Sequence, residues 1–370
     1  MDFQLSEEQG LLRDTTRELL SRTYDAESRN KVLESELGWS REVWNQLAEV
    51  GILGLGFDPE EAGQLEIMAV LIEVGRRLAP EPIVHGALAP GSLIAELGND
   101  AQKELLDEVA GGQRLLAFAH LEPGQRGGST QPATRAVRQG DSWIVNGRKN
   151  PVLAGDSADT LVVSAALPEG GTGLFLVDAE TVSRTPYSTF DGQRGAQIDF
   201  DEAAAEPLGG DDAADASDAI ARAIIRIQSA LCAEALGAME EALRLTTDYL
   251  KTRKQFGVTL NKFQTLTQRA ADMYVSLELA RSMNLYAAMS IADGNYDPVI
   301  AARAKLQIAR SGRHIGQEAI QLHGGIGMTA EYPVGHYTAR LTAIDHTLGS
   351  ARDQLRVLID HIGEYDLAKI

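Results

Sequence analysis

The succession of hydrophobic patterns along this chain predicts an α+β fold: an N-terminal helical domain, a small middle β domain and a C-terminal four-helix bundle. Three observations carry that prediction. Apolar residues recur at helical spacing up to about residue 114 and again from about residue 218. Between these stretches the period shortens to brief β-branched runs separated by glycine and proline. The chain has 370 residues, 44% of them hydrophobic, which is too much for one small core and suits two or three packed units.

In the N-terminal domain (residues 1–114), Ser6 before Glu7, Glu8 and Gln9 reads as a capped helix start, with Leu11, Leu12, Leu19 and Leu20 as its apolar face. Trp44, Leu47 and Val50 form a second apolar run that leaves through Gly51-Ile52-Leu53-Gly54-Leu55-Gly56. A helix from Ile67 to Leu78 is stopped by Ala79-Pro80-Glu81-Pro82, because proline lacks an N–H and clashes with the preceding turn. A last helix runs from Asp100 to Ala110 and ends at Gly111-Gly112. In the β domain (115–210), Ser142-Trp143-Ile144-Val145 runs into Asn146-Gly147, a pair that favours a tight hairpin turn. Thr160 to Ala165, Gly173 to Val177 and Ala196 to Phe200 are further short strands. The acidic, alanine-rich stretch Asp201 to Asp218 reads as a solvated linker. In the C-terminal domain (211–370), Ile220, Ile224, Ile227, Leu231, Leu236, Met239 and Leu243 mark the first long helix, and three more fit near 262–293, 297–322 and 343–363.

Charge and cysteine content narrow the functional classes. The formal charge of −19 argues against a nucleic-acid partner, which needs a basic face. An anionic ligand must then be held by a few local cations and backbone N–H groups. Cys232 is the only cysteine, so an intrachain disulfide and a Cys-based metal site are both ruled out. The N-terminus lacks the basic start and apolar run of a signal peptide, and no stretch reaches the roughly 18–20 uncharged apolar residues of a membrane span. The expected compartment is the cytoplasm.

Arg253-Lys254-Gln255-Phe256-Gly257 with Phe263-Gln264, and Gln321-Leu322-His323-Gly324-Gly325-Ile326-Gly327 with Glu331-Tyr332-Pro333, stand in that order in the last third. Together with Asp2-Phe3, Glu7-Glu8-Gln9 and Glu122-Pro123-Gly124, they resemble the acyl-CoA dehydrogenase family over nearly the whole chain. The first segment matches its R-x-x-F-G signature, with Gln264 eleven residues after Arg253, and the second its Q-x-x-G-G-x-G segment. The resemblance implies an FAD-dependent oxidoreductase that desaturates an acyl-CoA thioester, with electrons passing to an electron-transfer flavoprotein. It also implies that the cofactor is bound by Arg253, Lys254, Gln255, Phe256, Phe263, Gln264, Gln321, Leu322, His323, Gly324 and Gly325. Physical chemistry supports these types: a guanidinium fork matches phosphate oxygens, and amides both donate and accept. Glycines at 324, 325 and 327 would let the backbone approach a ligand closely. His323 reads as a packing or capping histidine rather than a chemical group.

The catalytic positions depart from the family. The base expected twenty-three residues after Gly325 is replaced by Leu348, and an alternative site twenty-six residues before Arg253 holds Ile227, followed by Gln228 where an arginine is frequent. Lys149-Asn150-Pro151-Val152-Leu153 stands where the family has a Trp and a Thr against the flavin ring, and Gln125-Arg126-Gly127-Gly128 where it has a phosphate-binding Gly-Ser. In this family the two ends of one FAD touch different subunits. The resemblance therefore implies a non-catalytic subunit that completes the FAD site of a catalytic acyl-CoA dehydrogenase partner in a heterotetramer, with acyl-CoA bound through that partner. Gly155-Asp156-Ser157-Ala158-Asp159, Tyr249 to Gly257 and Gly335-His336-Tyr337 are similar to small subunits of pimeloyl-CoA dehydrogenase, and related heteromers act on steroid side chains. The alternatives are a homomeric enzyme with a displaced base, Asp345 or then His346, and a structural flavoprotein relative without turnover. Glu234, Glu240 and Glu241 on the first bundle helix read as solvated or interhelical carboxylates.

Overall fold

The computed structural model describes residues 5–125, 131–140, 142–210 and 212–364; Asp2, Phe3 and the Arg126-Gly127-Gly128 part of the sequence reading lie outside them. Contacts group the chain into two compact units. One gathers the chain through Arg29, Met68–Ala79 and everything from Gln228 onward; the other holds Asn30–Ile67 and Pro80–Ile227.

Helix α1 (Glu7–Thr23) begins as predicted: the Ser6 hydroxyl accepts from the Gln9 N–H and the Gln9 side chain accepts from the Ser6 N–H. Of its four leucines Leu20 is buried, whereas Leu11 is exposed and not part of the core face. Helices α2 (Ala26–Leu33) and α3 (Arg41–Glu49) follow. Trp44 and Leu47 of α3 are fully buried, and the Trp44 indole donates to the Gly112 carbonyl at 3.1 Å. Helix α4 (Gln64–Arg77) stops at Leu78, whose φ of 50° turns the chain toward Pro80. A π-helical turn over Val84–Leu88 runs into α5 (Ala89–Leu97). Most of this segment is buried all round, so it carries no amphipathic period for a sequence to reveal. Helix α6 (Asp100–Ala110) has the predicted bounds and a capping box between Asn99 and Gln102.

Seven strands form the β part: β1 (Leu116–Ala119), β2 (Arg135–Gln139), β3 (Ser142–Leu153), β4 (Thr160–Ala166), β5 (Thr172–Asp178), β6 (Ser183–Ser188) and β7 (Arg194–Pro207). Their order is β1-β4-β2-β3-β7-β5 with β6 on β7, and β5 also pairs with β4, so the sheet closes on itself. Trp143, Val145, Val163, Phe175, Ile198 and Phe200 belong to its core.

Two expectations fail here. Asn146-Gly147 is not a hairpin turn: β3 runs straight through it, and the register against β7 slips between Val145 and Gly147. The pair is a bulge, in which Asn146 Oδ1 accepts from the Glu202 N–H at 2.8 Å. A Cβ on Gly147 would lie 2.7 Å from Thr134 Cα, so the glycine serves a close approach. The hairpin instead joins β2 to β3, with Gln139 opposite Ser142. Likewise Asp201–Pro207, read as linker, continues β7.

Helix α7 (Ser217–Thr252), whose residues from Gln228 onward belong to the other unit, is followed by a small hairpin, β8 (Lys254–Gln255) and β9 (Val258–Thr259), then α8 (Gln264–Ala292) and α9 (Pro298–His323). The fourth helix expected at 343–363 is two helices, α10 (Val334–His346) and α11 (Ala351–Asp360), both packed on α9. The break falls at Leu348, φ 55°, and Gly349, φ 98°, which no continuous helix can hold.

Candidate functional site

The R-x-x-F-G segment starts where α7 ends. The register Lys254↔Thr259 and Gln255↔Val258 leaves Phe256 and Gly257 as the hairpin turn. Both have positive φ, 52° and 81°, as the tightest hairpin turns require. Glycine adopts this region freely, but a phenylalanine there costs about 1–2 kcal/mol. Burial does not compensate, for Phe256 is 91% exposed and makes only an edge contact with Phe263 at 6.2 Å between ring centroids. Arg253 is exposed and, among the described residues, its guanidinium has no hydrogen bond or ion pair. Lys254, Gln255 and Gln264 are also exposed, and Phe263 is half-buried at the start of α8.

The second motif closes α9. Gln321 is exposed, whereas Leu322 and His323 are buried, so those two side chains are placed for packing rather than for direct contact with a ligand. Gly324 terminates the helix with φ 66°. A Cβ at Gly324 or Gly325 would meet nothing within 4 Å, so both face open space, while one at Gly327 would press on the Ile320 carbonyl at 3.0 Å. Gly327 is thus needed by its own chain. The motifs meet through aromatic rings: Tyr249, one turn before Arg253 on α7, lies 4.6 Å from His323 between centroids, and His323 lies 4.8 Å from Tyr332. Tyr249 and Tyr332 carried no role in the sequence reading, although the four-residue spacing from Tyr249 to Arg253 places both on one helix face.

Neither family base position holds an ionisable group. Ile227 is buried. Leu348 is 8% exposed, and its carbonyl accepts from the side-chain amides of Gln228 at 3.0 Å and Gln354 at 3.3 Å. Lys305, fully buried, donates to the carbonyls of Ile344 and Asp345 and so fixes the end of α10. Asp345 is buried too; its Oδ1 accepts from the Ala351 N–H at 2.8 Å, and Arg313 stands 3.8 Å from Oδ2. His346 is exposed. Glu234 pairs bidentately with Arg340 at 2.6 and 2.8 Å, Glu240 with Arg76 and Arg281, and Glu241 with Arg244.

The β unit holds a buried polar cluster of which the sequence singled out only Glu122 and Lys149. Lys149 donates to the His120 carbonyl at 3.0 Å, Glu122 Oε1 at 2.9 Å and Ser164 Oγ at 3.2 Å. Glu122 also accepts from the N–H groups of Ala133 and Thr134, and His120 Nδ1 meets Ser164 Oγ at 2.9 Å. Burial works to raise the Glu122 carboxyl, but the Thr134 and Ala133 N–H groups and the Lys149 ammonium bring it down to about 2. Burial lowers the Lys149 ammonium to about 8 against the pull of Glu122, and it lowers the His120 imidazole to about 4, helped by the Lys149 charge. Every donor on Lys149 is used, so this lysine holds β3 to the chain after β1. Beyond it, Pro151 sits in a register slip of β3 and lacks an N–H, and Leu121 and Leu153 are half-buried without a polar side chain. Among the described residues no cluster of His, Cys, Asp and Glu could hold a metal, and no helix is long and apolar enough to cross a membrane.

Comparison with known proteins places this geometry. Residues 6–113 match the family model described as "Acyl-CoA dehydrogenase, N-terminal domain", and residues 224–362 match "Acyl-CoA dehydrogenase, C-terminal domain". The chain is 31% identical over 367 residues to acyl-CoA dehydrogenase IpdE2 of Mycobacterium tuberculosis, covering 97% of this chain and 98% of that protein. It is similar to a chain of the Tcur3481-Tcur3483 steroid ACAD, with TM-score 0.88, 32% identity and coverage of 97% and 98%. It is also similar to a chain of the ChsE4-ChsE5 complex from Mycobacterium tuberculosis, with TM-score 0.88, 26% identity and coverage of 99% and 100%.

Proposed function

This chain belongs to the acyl-CoA dehydrogenase family of oxidoreductases, and from that premise we propose that it is the non-catalytic subunit of a heteromeric enzyme, contributing the nucleotide end of an FAD site to a catalytic partner. The observation that carries the reading is Leu348. Proton abstraction beside a thioester needs a carboxylate within hydrogen-bond reach of the substrate. Leu348 offers none, and its backbone is held in a left-handed turn by two glutamine amides. Asp345, the alternative base, is engaged in capping α11, which favours the heteromer over a homomeric enzyme with a displaced base.

FAD, when bound, supplies the hydride acceptor; this chain's residues fit only one end of it. Arg253 presents a guanidinium that has no partner among the described residues and suits a diphosphate, Phe256 an exposed ring, Gln264 and Gln321 exposed amides, and Gly324-Gly325 an open backbone. At the positions where the family resemblance puts ring-facing residues, Pro151 and Leu153 provide no side-chain donor. Two of the similar structures are themselves named for pairs of proteins, and one is called a steroid ACAD, which supports a CoA thioester with a bulky, steroid-like acyl chain bound through the partner. Electron-transfer flavoprotein is the acceptor that the family resemblance implies.

Arg253→Ala should weaken FAD retention by the co-purified assembly by about 1.5–3 kcal/mol, the range for a charge-assisted contact. Arg253→Lys should restore part of that, since a lysine keeps the charge but not the fork. Flavin retention unchanged in the alanine variant contradicts the reading.

A further inference from the structure

We propose that His323 is a positioning residue that locks the two nucleotide motifs into one site, through a three-ring cluster with Tyr249 and Tyr332. The proposal rests on the reading above and deepens it. His323 stands one residue before Gly324, and Tyr249 one helical turn before Arg253, so their 4.6 Å ring contact ties the end of α9 to the end of α7. Tyr332 closes the cluster, 4.8 Å from His323 and 6.4 Å from Tyr249 between centroids.

Hydrogen bonds set the role of each histidine nitrogen. Nδ1 lies 2.7 Å from the Ala319 carbonyl, which can only accept, so Nδ1 carries the proton. In the neutral ring Nε2 is then an acceptor, and the Tyr332 hydroxyl at 3.1 Å donates to it. With 3% of its surface exposed, His323 cannot itself cover a nucleotide. It can, however, fix where Gly324 and Gly325 stand relative to Arg253. A Cβ on either glycine would meet nothing within 4 Å, so beyond the bonds of Gly324 to the end of α9 no side chain packs on their open face. The backbone N–H of Arg253 donates to the Tyr249 carbonyl at 2.8 Å, so a shift of Tyr249 moves the base of the arginine directly. A residue placed among the cofactor-contacting groups by its motif thus acts one layer behind them.

The test uses the assembly that co-purifies with the full-length tagged chain, and measures both FAD affinity and thermal stability. Tyr332→Phe keeps the ring and deletes one hydroxyl, so it is the variant that folds most readily. His323→Phe keeps the packing and deletes both hydrogen bonds. Each should weaken FAD about tenfold, the loss expected for one misplaced hydrogen-bonding shell. The double variant should be no worse than His323→Phe alone, because both act through the same link. His323→Gln, which can still accept from Tyr332, should recover most of the affinity. Loss of thermal stability in both variants with FAD affinity of the folded assembly unchanged would overturn the proposal. Arg253→Ala separates the two levels. If it lowers FAD affinity while Tyr332→Phe and His323→Phe do not, only the positioning role fails. If Arg253→Ala is also silent, the nucleotide-site reading fails with it.

Discussion

Phe256 holds an uncommon combination at the scale of a single residue: a left-handed backbone, a large apolar ring and 91% exposure. The commonest pair in such a turn is Asn-Gly, which avoids the strain. Replacing Phe256 by Asn should therefore stabilise the isolated chain by up to ~1 kcal/mol while lowering FAD retention in the assembly. A melting temperature that falls in Phe256→Asn contradicts this account of strain held for function. His120 gives the second residue-scale prediction. Its imidazole is held at about 4 against an ordinary 6.5, so the folded chain stays neutral where the unfolded chain takes up a proton. Stability of the β unit should fall as pH drops from about 6.5 to about 4, and Glu122, at about 2 against 4.5, should extend the loss toward lower pH. All three tryptophans, Trp39, Trp44 and Trp143, lie in this unit, so intrinsic fluorescence during urea unfolding reports it. Between pH 6.5 and 4.5, wild type should lose more stability than His120→Phe; equal losses would mean the imidazole does not titrate in this way. The sequence named Phe256 and Glu122 through their motifs. It could not name His120 or Ser164, because their only signal is a contact between residues forty-four positions apart.

At the scale of elements, α4 and α7 approach closely at a pair of glycines. A Cβ on Gly75 would overlap the Glu234 carbonyl oxygen, and one on Gly237 would overlap the Ile72 carbonyl oxygen. Backbone is the obstacle in both cases, so neither neighbour can rotate away. Gly75→Ala and Gly237→Ala should each cost about 1–3 kcal/mol or more through overpacking. Gly10→Ala in α1, where nothing lies within 4 Å, should instead stabilise by about 0.5–1 kcal/mol on helix propensity alone. Thermal melts of the three variants decide it, and a stabilised Gly75→Ala would contradict the close crossing. The amphipathic helix α6 was legible because one polar face preserves its period. The segment running into α5 was not, since burial on all sides removes that period. Asn146-Gly147 misled for a related reason. Its local preference for a turn is real, but Thr134 packs against Gly147 and Glu202 donates to Asn146, and these contacts convert the turn into a bulge. The division of the last helix at Leu348 was hidden because Gln228 and Lys305, which hold the break together with the nearby Gln354, are distant in sequence.

For the whole molecule, the sequence and the geometry describe an uneven site. The two signature motifs were legible as motifs, and the chain displays Arg253, Phe256, Gln264, Gln321 and Gly324-Gly325 on its surface, with no partner for the arginine among the described residues. The loss of a base was legible as well, from the count to Leu348 and Ile227. What the sequence could not convey is that Asp345 caps α11 and that Leu348 is held by glutamines, both of which depend on side chains meeting in space. The central claim is that each FAD in the enzyme takes its nucleotide end from this chain and its ring from another. Flavin stoichiometry of the purified assembly, from flavin absorbance against the amount of each chain, tests it most directly. One flavin for every two chains, with little flavin on this chain alone, is the predicted result. One flavin for every chain would contradict it and make this subunit a flavoprotein in its own right.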